Sequence, residues 1–348
     1  MYFNILSIKN LKLSITQYLI LLYILLSTYY FAKYSIWYDV YHFYNVLLRT
    51  LEGQKFFQDY YSHFYPFLFY LLAPIIKVIS IDQFNVIFSF ILNFLFAYHF
   101  TYYSKKIFHN EINFFYLFSI IAFFFIPFGI GLFNFNELAV YFTTIGFLMA
   151  ICDLKKFSYL SVIYILLALT IKYSVALPLI GAIVISTVIF LIIDFKKEIL
   201  YLFLKYFFSI GLLFLFITII LITFSNTSIK DGFDYLFFDV LTLSKERTEF
   251  DKFLFISVFK NLLSINLNIL SLPVGSLLQL PVIICYFILI PILFFKKNLE
   301  SKKKFFLYFL LFASIFHYTQ LGRDWHHKFI FFFIIVYFLL FYFFEIEK

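Results

Sequence analysis

Charge is the scarcest thing in this sequence. Only 13% of its 348 residues are Asp, Glu, Lys or Arg, against about a quarter in a soluble domain. That shortage excludes a soluble domain of useful size. Cysteine is nearly absent too: Cys152 and Cys285 stand far apart in or beside apolar runs, which excludes a metal-binding spacing or a disulfide framework. Alternating polarity is missing from the apolar runs, and a closed transmembrane barrel requires it. No small-residue cleavage site follows the first apolar run, so the N-terminus reads as an uncleaved first helix after Lys9 and Lys12 and not as a signal peptide.

What is present is apolar. Hydrophobic residues make up 64% of the chain, with 58 Phe and 29 Tyr. Most apolar runs reach about 15 residues and several exceed about 20, the length that spans a bilayer core as a helix. Helix is the remaining spanning structure that satisfies its own backbone. The expected fold is therefore all-α: a polytopic transmembrane helical bundle of about ten or eleven spans in one integral membrane domain, residues 1–348. The Phe, Ile and Lys bias reads mostly as the signature of an AT-rich genome.

The formal charge is +8. In a soluble protein such a balance points to nucleic acid. Here the lysines cluster at segment ends, at Lys105–Lys106, Lys155–Lys156, Lys196–Lys197 and from Lys296 to Lys304, so they mark a cytoplasmic face and nucleic acid is not an expected partner. The expected spans are 15–32, 66–81, 84–103, 112–133, 138–152, 159–172, 175–194, 199–224, 267–295, 305–319 and 329–344. That set contains a conflict. If both 66–81 and 84–103 cross fully, Lys105–Lys106 falls on the outer face. If one of them is re-entrant or interfacial, every later lysine cluster falls inside, and this arrangement is preferred.

The polar connections then lie outside, on a plasma-membrane protein whose working face is external. Two are long: 33–65 and 225–266. The second carries Phe233, Tyr235, Leu236 and Phe238 in the pattern of an amphipathic helix on the membrane surface. It reads equally as a lid or as a solvated loop.

The first of these connections holds the densest group of ionisable residues, from Trp37 to Pro66. Asp39, His42, Phe43, Val46 and Thr50 recur at helical spacing, and Gly53 follows as a helix terminator. The chain continues through Phe56-Phe57, Asp59 and His63 to Pro66 and Leu68, where it re-enters the membrane. Asp39 can serve as a catalytic carboxylate or as a cap for the helix Tyr41–Leu51. Asp59 and His63, four residues apart, can orient a ligand or hold a divalent cation; an Asp in a turn and a surface His are the plainer reading.

This stretch resembles the first outer loop of GT-C-type membrane glycosyltransferases, the superfamily that includes protein O-mannosyltransferases and lipid A aminoarabinose transferases. The resemblance rests on Asp39, Gly53, Phe56-Phe57, Asp59, His63, Pro66 and Leu68, over about 35 residues. It departs at Asp39-Val40, where many members carry a doubled acid, and at Tyr65-Pro66, where many carry Pro-Pro or Gly-Pro. It implies a polyprenyl-phosphate-linked sugar as donor, a glycan, lipid or protein as acceptor, and Asp39 as general base. A sugar phosphate already carries a good leaving group, so one base suffices, and direct attack inverts the anomeric centre.

Other candidates lie elsewhere on the expected outer face. Glu137 matches a second acid of related families by position, or is simply an acid at a helix start. Lys172 occupies the tight turn of a hairpin between two apolar segments, where it can meet the donor phosphate or snorkel to the interface. Arg323 and His326, with Asp324, Trp325 and His327, open the last apolar segment; Arg323 suits bidentate phosphate binding, and Trp325 suits an interfacial belt. His99 and His317 lie within spans and read as satisfied helix-interior groups. A polysaccharide polymerase or ligase that uses Arg323 and the nearby histidines is the alternative function. A flippase or transporter ranks last, because no repeat is visible and the acids sit at one interface.

Overall fold

The computed structural model describes residues 14–34, 38–56, 59, 66–109, 133, 135–193, 196–239 and 300–320. Within them the chain is helical, and no strand occurs among the described residues. The helices are α1 (Ile15–Tyr34), α2 (Tyr38–Leu51), α3 (Phe67–Leu72), α4 (Ile81–Phe108), α5 (Phe135–Cys152), α6 (Tyr159–Ile193), α7 (Lys197–Phe224), α8 (Ile229–Phe233) and α9 (Ser301–Gln320). Four stretches among the described residues are long and apolar enough to cross a membrane: Ile81–Phe108, Phe135–Cys152, Val175–Ile193 and Lys197–Phe224. The spans expected at 112–133, 267–295 and 329–344 lie outside the described residues.

Segment 66–81 does not form one continuous helix. Pro66 leads into the six residues of α3, and a single 3-10 turn, Ile75–Lys77, follows Pro74. Six helical residues rise only about 9 Å. Ser80 then caps α4 with a complete capping box: its hydroxyl accepts the Gln83 N–H while the Gln83 side chain accepts the Ser80 N–H.

α6 contains a break. Lys172 has φ −152° and ψ 89°, non-helical values inside a run of 35 residues. Ile165 before the break and Ile180 and Ile183 after it line the same small cavity. In a straight helix Ile165 and Ile180 would stand about 22 Å apart. The two limbs therefore lie side by side, and Lys172 is the apex of a hairpin, as the sequence pattern predicts. Pro178 lies just past the apex, where its missing N–H leaves the Ser174 carbonyl without the usual helical donor.

Contacts sort the helix ends into two groups. At one end Phe108 meets Phe306 with ring centroids 5.4 Å apart, His109 pairs with Glu300 at 3.4 Å, and Phe190 stacks on Phe305 at 5.2 Å. The Ser158 N–H donates to the Tyr206 hydroxyl at 2.7 Å in the same region. The described lysine clusters sit on these ends. At the other end Tyr44 and Phe133 meet Phe84, Tyr70 meets Phe224, and the Tyr173 hydroxyl donates to the Leu236 carbonyl at 2.7 Å. The core is aromatic, with Phe43, Phe84, Phe147, Phe190 and Phe305 fully buried.

Close approach of α5 to α6 depends on Gly146. The Ser161 hydroxyl donates to the Gly146 carbonyl at 2.7 Å, and a Cβ on Gly146 would stand 2.8 Å from the Ile165 side chain. Small residues serve such contacts where lipid supplies no hydrophobic force between helices.

Candidate functional site

α2 forms because its apolar residues recur at helical spacing: Phe43, Val46 and Leu47 are all buried. Thr50 on the same side donates its hydroxyl to the Val46 carbonyl. Gly53 ends the helix with φ +81°, a left-handed value that glycine adopts without strain. α2 begins at Tyr38, so Asp39 is its second residue. The capping alternative, with Asp39 ahead of a helix starting at Tyr41, is corrected: Asp39 lies in the first turn, where an acid complements the helix dipole. The side chains of Asp39 and His42 are not among those described.

Phe43 stands one turn after Asp39 and anchors α2 to three elements. Its ring centroid lies 5.3 Å from Phe69 of α3, 5.9 Å from Phe133 and 6.2 Å from Phe135 at the start of α5. Its neighbour Tyr44 is buried, and its hydroxyl has no hydrogen-bond partner among the described residues. Burial, and then the nearby carboxylate of Asp82, push that phenol above its ordinary range.

Lys172 also meets Phe135. Its Nζ sits 4.2 Å from the Phe135 ring centroid, and the residue is only 8% exposed. A snorkelling lysine would reach solvent; this one is held inside, over an aromatic face. Its location follows from the hairpin, because the apex brings the lysine to the N-terminus of α5. That N-terminus carries partial positive charge of its own. Glu137 is the third residue of α5, half-buried, inside the helix and not in a connection before it. Tyr173, next to Lys172, ties the apex to the π-helical turn Asp234–Asp239 through its bond to Leu236. The second long connection therefore starts folded against the apex, with Leu236 buried and Phe238 exposed.

The remaining candidates divide. Asp59 is exposed and closes a turn, its carboxylate accepting the Lys55 N–H at 2.5 Å while its own N–H donates to the Lys55 carbonyl at 3.0 Å. His63, Arg323 and His326 lie outside the described residues. Among the described residues no three His, Cys, Asp or Glu side chains gather as a metal site would need. His99 is satisfied within the bundle, its Nδ1 2.7 Å from the Tyr141 hydroxyl.

The structure thus brings Lys172, the start of α5 with Glu137, and α2 into one region at the end opposite the lysine clusters. The residues that join them, Phe43 and Phe135, carry no signal in a sequence with 58 phenylalanines. The chain matches no known family model, no curated protein and no solved structure.

Proposed function

We propose that this protein is an integral membrane glycosyltransferase that takes a sugar from a polyprenyl phosphate and delivers it to a glycan, lipid or protein acceptor at the end of the bundle opposite its lysine clusters. One observation carries the reading: a buried ammonium at the apex of α6 shares Phe135 with Phe43, one turn along α2 from Asp39. A cation in surroundings of low dielectric attracts a phosphate strongly, and the N-terminus of α5 adds to that attraction. Asp39 precedes Phe43 by one turn of α2, on the side of the helix that carries Phe43.

In this reading Lys172 holds the donor phosphate, which departs with the bonding electrons of the glycosidic C–O bond. Asp39 takes the proton from the acceptor hydroxyl as it attacks the anomeric carbon from the opposite face, which inverts the centre. Glu137 orients the acceptor or donor. The chemistry needs one base and one phosphate anchor.

The deciding experiment is transfer from a radiolabelled polyprenyl-phosphate sugar by purified protein, comparing the wild type with Asp39→Asn. The variant should lose about 10²- to 10⁴-fold in rate, the range for a general base, while inserting and accumulating normally. Retention of wild-type rate by a well-folded Asp39→Asn protein would remove the assignment.

A further inference from the structure

The apex of α6 is interrupted as a helix. Lys172 has left helical geometry, and Pro178 offers no N–H to the Ser174 carbonyl. A break of this kind takes its direction from side chains on either side of it. Lys172 makes one such contact, over Phe135. Tyr173 makes a second: it is buried, and its hydroxyl donates to the Leu236 carbonyl at 2.7 Å.

The turn that carries Leu236 is itself fastened to the bundle. Phe237 has its ring centroid 5.9 Å from Tyr173 and 6.3 Å from Phe214 of α7, and it stacks on Phe233 at 5.6 Å. Phe214 precedes the end of α7 at Phe224 by about 15 Å of helix. The π-helical turn Asp234–Asp239 therefore folds back along α7. Gly232 lets α8 sit close to α7, because a Cβ there would stand 2.6 Å from the Ile222 side chain. π-helical turns are rare and recur at functional sites, and this one holds the residue next to the buried ammonium.

We propose that Tyr173 is a positioning residue for the donor phosphate, holding the Lys172 ammonium in place through its bond to the π-helical turn. The role rests on Lys172 as the phosphate anchor. The Tyr173 hydroxyl stays on Leu236 and acts on the phosphate only through its neighbour. An ammonium already fixed in position binds a phosphate without the entropy loss of ordering the apex, which raises affinity. The second long connection thereby influences the site through the apex of α6.

The test measures binding without turnover, so it stands apart from the role of Asp39. The probe is polyprenyl phosphate without a sugar, titrated into the full chain in nanodiscs, with Kd read by native mass spectrometry. Tyr173→Phe should raise Kd by roughly three- to tenfold, the effect of one ordinary hydrogen bond. The same substitution in a Lys172→Met background should add almost nothing, because the group it positions is gone. Phe237→Leu, which loosens the turn and keeps Tyr173, should raise Kd by less, and it serves if Tyr173→Phe folds poorly. A purely structural role predicts a lower unfolding midpoint with Kd unmoved, and that result would overturn the proposal. So would equal effects of Tyr173→Phe in the two backgrounds. A wild-type Kd in folded Lys172→Met protein is a separate outcome: it removes the phosphate anchor, and the positioning role falls with it.

Discussion

The ammonium of Lys172 lies over the face of Phe135, 4.2 Å from its centroid, so the first residue of α5 supports the residue at which α6 turns back. Burying an ammonium costs several kcal/mol, and an aromatic face returns about 2 kcal/mol when the pair is desolvated. If Lys172 is the phosphate anchor, Lys172→Met should raise KM for a polyprenyl-phosphate sugar by about 10- to 100-fold, the equivalent of one charge-assisted hydrogen bond. Steady-state kinetics at saturating acceptor measures it. An unchanged KM in a folded Lys172→Met protein would show that the lysine meets no donor.

Phe135 is expected to act through Lys172. Phe135→Leu keeps an apolar side chain but removes the π face, and should raise donor KM by less than Lys172→Met does. Phe135→Trp restores the π face and should recover most of the loss, because indole is the strongest partner for a cation. Measuring the two variants side by side separates a cation–π role from simple packing, for which Leu would be the better replacement.

Phe43 fastens α2 to α3 and α5. It is fully buried, and Phe43→Ala should cost about 3–5 kcal/mol, read as a drop in unfolding midpoint in detergent. The adjacent Tyr44 should behave in the opposite way. Its buried hydroxyl lacks a partner among the described residues, so Tyr44→Phe should be neutral or stabilise by about 1 kcal/mol. A large loss from Tyr44→Phe would mean that the hydroxyl has an essential partner.

Gly146 sets the distance between α5 and α6. Its added Cβ would lie 2.8 Å from Ile165 Cγ1 and 3.2 Å from the Ser161 carbonyl oxygen. The side chain can shift but the backbone cannot, so Gly146→Ala should destabilise by about 1–3 kcal/mol. Gly146→Ala combined with Ile165→Ala, which removes the Cγ1 at the closer contact, should cost less than the sum of the two single changes. Thermal unfolding of the single and double variants checks both.

Much of the architecture was legible in the sequence, because in a bilayer hydropathy and length decide where a helix can lie. The apolar runs predicted α4, α5, α7 and α9 to within a few residues. The repeat of Phe43, Val46 and Thr50 predicted α2, and Gly53 its end. The break near Lys172 was readable as a polar interruption between two apolar stretches. The helix boundaries around Asp39 and Glu137 were less readable. Both acids lie inside first turns, and hydropathy is blind to the extra polar residues a helix takes in before it enters the apolar layer.

The sequence by itself determined that the described chain would be helical and that its described lysine pairs would collect at one end, since both follow from local chemistry: each helix satisfies its own backbone, and each lysine pair marks a helix terminus. Tertiary structure alone decided that 66–81 would break into two short helical turns, that the limbs of α6 would lie side by side, and that Lys172 would meet Phe135 while Phe135 meets Phe43. Those relationships depend on which aromatic faces interlock. In a core made largely of phenylalanine, composition is nearly uniform, so only the geometry of packing distinguishes the ring that holds the lysine from its neighbours.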